Sequence, residues 1–297
     1  MMNALLNAFP MDPDTPQASG LLGQFREMLL ETSGIRIAEH KESLVRHRLA
    51  KRVSATGCEG LNTYLRNILH NEDWSHERQV AIDMMTTNTT YFFRETTHYD
   101  FLAGAIVPDL AATAGRGFPF KVNIWSAAAS EGAEAYTAAM VMAELKTLHP
   151  AMEYAILGTD LSPRMVEIAN AGIYRAAQAE KIPDYLRKKY LLKGRNEDEG
   201  RVRFDKLIRS RTRFVQMNLM DTTYPVPPEV DVAFLRNVLI YFGAKDQQAV
   251  VSRVISKIKP GGYLLVGHAE SMIVEHPDVI QILPSIFRKY GNAPSDS

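Results

Sequence analysis

Val122-Asn123-Ile124-Trp125, continuing into Ser126-Ala127-Ala128-Ala129-Ser130-Glu131-Gly132-Ala133-Glu134-Ala135-Tyr136, is the stretch whose reading decides the fold. A short apolar run reads as a buried strand, the small residues after it as a tight loop, and about Ala133 to Leu148 as a helix. The same grammar repeats downstream. Tyr154–Asp160 reads as a second strand, and Ser162-Pro163 as a helix entry, with a capping hydroxyl before a proline in the first turn. Further strands are expected at Arg213–Asn218, Val230–Asn237, Gly262–Gly267 and Gln281–Arg288. Val250, Val251, Val254, Ile255 and Ile258 mark one face of the helix before Gly262. Strands alternating with helices predict an α/β fold, a parallel sheet with helices on both faces. Residues 173–212 interrupt the alternation, and a polar, basic insertion over about residues 185–213 is expected to carry a hairpin or small sheet.

Upstream, the grammar is all-helical. Leu21, Leu22, Phe25, Met28 and Leu29 fall at helical spacing, as do Leu61, Tyr64, Leu65, Ile68 and Leu69 after the break at Gly57 and Gly60. The expected organisation is a disordered tail over 1–19, a helical domain over 20–92, a linker and connecting helix over 93–120, and the α/β domain over 121–297. Of the 297 residues, 34 are Lys or Arg and 34 are Asp or Glu, which argues against a generic polyanion binder. One cysteine, Cys58, excludes an intrachain disulfide or a cysteine-based zinc cluster. Without a bilayer-length apolar run or a basic leader, the expectation is a cytoplasmic protein with no membrane insertion and no metal.

Ligands of open α/β sheets sit beyond the carboxyl ends of the strands. The Ser126–Gly132 loop is small enough for close backbone approach, and Asp160 ends the second strand where a carboxylate can accept bonds from a ribose diol. Asn218 and Asn237 end two further strands and supply amides that either read an adenine edge or fix a loop. No phosphate-cradling lysine or glycine repeat follows the first strand. A nucleoside without a polyphosphate fits this set, and S-adenosylmethionine is one.

Six stretches together resemble the chemotaxis protein methyltransferase family, whose members methylate glutamates on bacterial chemoreceptors. They are Gly34–Lys41 with Arg48–Arg52, Thr87-Asn88-Thr89-Thr90-Tyr91-Phe92-Phe93-Arg94-Glu95, Ile124–Ala128, Gly158-Thr159-Asp160, Arg236–Phe242, and Gly267–Ser271. The resemblance implies a helical domain on a class I S-adenosylmethionine-dependent methyltransferase sheet, with a small antiparallel β-subdomain inserted in the latter at about residues 185–213. It implies that Asn88, Thr90, Arg94, Glu134, Asp160, Asn218, Leu219, Asn237 and Val238 line the cofactor site, and that Arg94 and Tyr241 position the reacting groups. It also implies as partner the helical cytoplasmic region of chemoreceptors, with a receptor C-terminal pentapeptide on the inserted subdomain in some members. Where the family loop reads close to Ser-Thr-Gly-Glu-Glu-Pro-Tyr, Glu134 and Tyr136 stay in register here. Ala135 replaces the proline, which predicts a softer loop.

A glutamate side chain, with a reference pKa of about 4.3, is already a nucleophile at neutral pH, so no general base is needed. On the helix expected around residues 41–53, Lys41, Arg48 and Arg52 share a face bordered by Lys51, with Arg46 beyond the apolar stripe of Val45, Leu49 and Val53. These five cations are the expected contacts for an acidic receptor helix. A monomer satisfies the architecture. Two other readings stand beside this one: a cofactor-binding, receptor-docking module with weak or lost turnover, and a nucleic-acid methyltransferase. The latter would need a base-flipping pocket, and no Asn-Pro-Pro-Tyr-like stretch occurs.

Overall fold

The computed structural model describes residues 16–115 and 117–291. Most of the expected tail therefore lies outside the described residues, and the first helix already begins at Pro16. Two compact units divide between Thr87 and Asn88.

The first unit is helical: α1 (Pro16–Ser33), α2 (Glu42–Ala55), α3 (Leu61–His70) and α4 (Ser75–Met85). Its core is the set of periodic apolar positions, with Leu22, Phe25, Leu29, Val45, Leu49, Tyr64, Leu65 and Ile68 fully buried. Arg52 on α2 binds Glu77 on α4 through two bonds of 2.8 and 2.5 Å, and Tyr64 donates to the same carboxylate at 2.7 Å. Burial works against the ionised Glu77, yet the bonds from Arg52 and Tyr64 win and hold its carboxyl below the usual range.

The second unit opens with the Asn88–Glu95 segment, α5 (Thr96–Phe101), a π-helical turn at Leu102–Ile106, and α6 (Val107–Ala114). The sequence boundary expected at residue 92 moves to 87 because Phe92 packs into the α/β core, edge-on to Tyr174 with ring centroids 5.1 Å apart. Then come β1 (Phe120–Ala127), α7 (Ala133–Leu148), β2 (Met152–Asp160), α8 (Pro163–Ala171) and β3 (Ile173–Arg175). Ser162 caps α8 as expected, its hydroxyl accepting from the Met165 amide at 3.3 Å. The chain continues through α9 (Asp184–Tyr190), β4 (Leu191–Lys193), β5 (Arg201–Phe204), α10 (Lys206–Arg209), β6 (Thr212–Gln216) and β7 (Val230–Leu235). It closes with α11 (Ala244–Lys257), β8 (Ile258–Val266), β9 (Val279–Leu283) and β10 (Ile286–Lys289).

Seven strands form one sheet in the order β6-β2-β1-β7-β8-β10-β9, and β3-β5-β4 form a separate antiparallel sheet. The insertion thus starts at Ile173, not at 185, because Tyr174 on β3 pairs with Val202 on β5. The expected single strand over 281–288 is two. Pro284 and Ser285 reverse the chain, Ser285 at φ 64°, and β10 runs antiparallel between β8 and β9. Among the described residues no helix is long and apolar enough to cross a membrane.

Candidate active site

Chain order sends β2 to one side of β1 and β7 to the other, so a crevice opens at the carboxyl end of β1. The residues that form it are held in place by short bonds. Asp160 ends β2, and its two oxygens accept the Ser130 amide at 2.7 Å and the Ser162 amide at 3.0 Å. Ala128, Ser130 and Gly132 all have positive φ, curling the loop back over the strand ends. A Cβ on Gly132 would lie 2.9 Å from Phe214, so the turn needs glycine on steric as well as conformational grounds.

The expected softness at Ala135 is answered by other contacts. Tyr174 donates to the Glu131 carbonyl at 2.5 Å, Gln178 to its carboxylate at 3.0 Å, and Tyr136 to the Ala169 carbonyl at 2.7 Å. Ala135 itself is buried within α7.

Arg236, just past β7, ties the far wall together. It bonds Glu134 at 3.0 Å and the Arg94 carbonyl at 2.6 Å, and pairs with Glu95 at 3.4 Å. Ser126 donates to the other Glu134 oxygen at 2.7 Å. Burial pushes the Glu134 carboxyl up while Arg236 opposes it. Such a buried pair persists because both charges are met. Glu134, expected among the cofactor contacts, has each oxygen engaged by one protein donor, which orients the carboxylate and leaves it a second lone pair on each oxygen.

Asn237 lies at φ 59°, and Glu270 holds it there by accepting the amides of Asn237 at 2.6 Å, Leu239 at 2.8 Å and Gly267 at 2.9 Å. Asn218 follows β6, its side-chain oxygen accepting the Met220 amide at 2.9 Å. Leu219 is buried, its carbonyl receiving Tyr224 and Arg253; Val238 and Tyr241 are half-buried around the turn after β7. The Asn88 carbonyl accepts from Ser130 at 3.1 Å, which brings the Asn88–Arg94 segment to the loop, with Thr90 half-buried in it. Arg94 donates to the Thr89 carbonyl at 3.1 Å and lies 5.7 Å from the Tyr91 ring.

The expected cationic face on α2 is different. Arg48 is spent on the Met85 carbonyl at 2.7 Å and the Thr87 hydroxyl at 3.2 Å, and Arg52 on Glu77. Lys41 and Lys51 are exposed and Arg46 is half-buried. Arg236 has no expected role in the motif that holds it, Arg236–Phe242. A charge ending the buried run Val232-Ala233-Phe234-Leu235 is the signal for a buried counter-charge.

A strand-end carboxylate, two strand-end amides, an alanine-rich loop and a guanidinium suit a nucleoside bearing an amino-acid tail. With its sheet order and inserted antiparallel sheet, the second unit has the class I S-adenosylmethionine-dependent methyltransferase fold. Residues 88–287 match the family described as CheR methyltransferase, SAM binding domain, and residues 21–86 match CheR methyltransferase, all-alpha domain. The chain is 33% identical over 245 residues to a chemotaxis protein methyltransferase of Escherichia coli K12, covering 82% of each. It is 32% identical over 269 residues to one of Borreliella burgdorferi, covering 90% of this chain and 93% of that one. A third relative, chemotaxis protein methyltransferase 2 of Pseudomonas aeruginosa, is 32% identical over 251 residues, covering 84% and 86%. The chain belongs to the CheR chemotaxis methyltransferase family.

Proposed function

We propose that this chain uses S-adenosylmethionine to methylate glutamate side chains on the helical region of chemoreceptors. The observation that carries the reading is the meeting of Asp160 and the Arg94 segment at the carboxyl end of β1, each fixed by backbone bonds. In this reading Asp160 accepts the ribose hydroxyls, and Asn218 and Asn237 meet the adenine. Asn88, Thr90, Leu219 and Val238 line the site.

S-adenosylmethionine supplies a sulfonium methyl open to in-line displacement. A glutamate carboxylate oxygen forms the new O–CH3 bond as the S–CH3 bond breaks, and no proton moves. Arg94 and Tyr241 orient the reacting groups. The chain's task is alignment and exclusion of water, worth at most about 7–11 kcal/mol of the barrier. Exposed Lys41 and Lys51, with Arg46, are the outward-facing candidates for the receptor. Arg48 and Arg52 support them from within the helical unit. The antiparallel β3-β5-β4 sheet, with Leu192 exposed on the outer strand β4, suits strand addition by a receptor C-terminal pentapeptide. The reading includes a monomer working in the cytoplasm.

Calorimetry with S-adenosylmethionine and its demethylated product tests the site. The wild type binds both, and Asp160→Ala weakens binding at least about tenfold by removing charge-assisted bonds. Wild-type protein that binds neither would end the proposal.

A further inference from the structure

Tyr91 is 39% exposed and has two cations beside its ring. The Lys181 ammonium is 3.8 Å from the ring centroid and the Arg94 guanidinium 5.7 Å from it. Lys181 is exposed and closes the 3-10 turn Ala176–Lys181. That turn is fastened to the crevice loop, since its Gln178 bonds Glu131 at 3.0 Å, and buried Ile182 anchors the chain just after it. The stack therefore sits at the rim of the active site. Among the described residues, neither Lys181 nor Arg94 is in an ion pair. Two like charges gathered around one ring repel, and a carboxylate beside them removes that cost.

We propose that Arg94, Tyr91 and Lys181 form an acidic-side-chain site: Lys181 receives a receptor carboxylate neighbouring the glutamate that Arg94 orients. The inference rests on the methyltransferase reading above. Acidic side chains one turn apart on a substrate helix, about 5–6 Å between Cβ atoms, match cations brought to one ring. Tyr91 contributes a face that holds the lysine over the rim rather than loose in solvent. Lys181 is thus a specificity residue that helps choose which glutamate is methylated.

The test is methyl transfer at varied receptor concentration and saturating cofactor, with cofactor affinity measured separately by calorimetry. Lys181→Gln is expected to raise the KM for receptor about threefold, and Lys181→Glu about tenfold, with kcat and cofactor Kd held within about twofold. These differences should shrink at about 0.5 M salt. Tyr91→Phe keeps the ring and the wild-type KM, whereas Tyr91→Ala raises it. A K181E enzyme with wild-type KM overturns the inference and leaves the methyltransferase reading intact. So does a K181E enzyme whose only change is weaker cofactor binding, since Lys181 would then serve the cofactor's carboxylate. A wild type that transfers no methyl group overturns both.

Discussion

Arg236 is only 2% exposed in its side chain, yet it touches Glu134, Glu95, Tyr99 and the Arg94 backbone. One guanidinium thus joins the loop helix, the turn after β7 and the Asn88–Glu95 segment. Around it the backbone is bent into uncommon conformations, with Phe93, Glu95 and Asn237 all at positive φ. Such positions persist when their surroundings over-determine them: beside Arg94 and Glu95 the determinant is buried Arg236 with its carboxylate partners, and at Asn237 it is Glu270. Arg236→Met strands the Glu134 carboxylate and is expected to cost about 3–5 kcal/mol of stability, measured by urea unfolding. Adding Glu134→Leu should return most of that loss, because an apolar pair replaces a buried charge pair at little net cost. A double variant no more stable than Arg236→Met would show that the pair is not the determinant. The cap at Ser162 was legible in the sequence because it depends on a neighbour three residues away. The Glu134–Arg236 partnership was not, since 102 positions separate the two and only the sheet order brings them together.

At the scale of elements, α5 is joined to the β9–β10 turn by a buried polar contact. His98 on α5 is fully buried, and its Nε2 is 2.8 Å from the hydroxyl of Ser285. Burial, reinforced by Arg236 and His268, pushes the His98 pKa from 6.5 down to about 3. The folded value is lowered, so between these limits the unfolded chain binds a proton that the folded chain does not. The stability from neutral His98 is complete above about pH 6.5 and is lost as pH falls toward 3, with a slope of up to about 1.4 kcal/mol per pH unit. Urea midpoints between pH 4 and 7 are expected to flatten in His98→Asn; an unchanged slope would assign the loss to other groups. The Pro284–Ser285 reversal was hidden in the sequence because Gln281–Arg288 is apolar enough to read as one strand, and only the φ of Ser285 divides it.

In the helical unit, Arg52 of α2, Tyr64 of α3 and Glu77 of α4 join three helices. Arg52→Ala is expected to cost about 1–2 kcal/mol, the value of a partly exposed charged hydrogen bond, read as a lower thermal midpoint. The periodic apolar positions of α2 showed where the helix buries itself. They could not show that Arg52 reaches across to Glu77 on α4 and Arg48 to the Met85 carbonyl and the Thr87 hydroxyl, because long side chains cover neighbours on any face.

Across the whole molecule, zero net charge conceals an uneven distribution: residues 181–213 hold 12 Lys and Arg against 5 Asp and Glu. The structure divides that excess further. Arg187 and Lys188 meet Asp184, Lys189 meets Glu144, Arg201 meets Asp198 and Arg211 meets Glu153. Seven of the twelve lie outside these five pairs, Lys181 at the active-site rim among them. Strand and helix alternation fixed the class of fold in advance, since the periods of buried strands and amphipathic helices are local. Division of the cations between internal pairing and outward display depends on tertiary neighbours. That division was beyond composition and spacing.

The central claim is that a receptor glutamate is the methyl acceptor. It is tested most directly by incubating the protein with methyl-labelled S-adenosylmethionine and a chemoreceptor cytoplasmic region, then treating the receptor with alkali. Label is expected on the receptor that is released as methanol, as a carboxyl ester requires, and that is lost when the acceptor glutamates are replaced by alanine. Cofactor binding with no label transferred, or label that resists alkali, would contradict it.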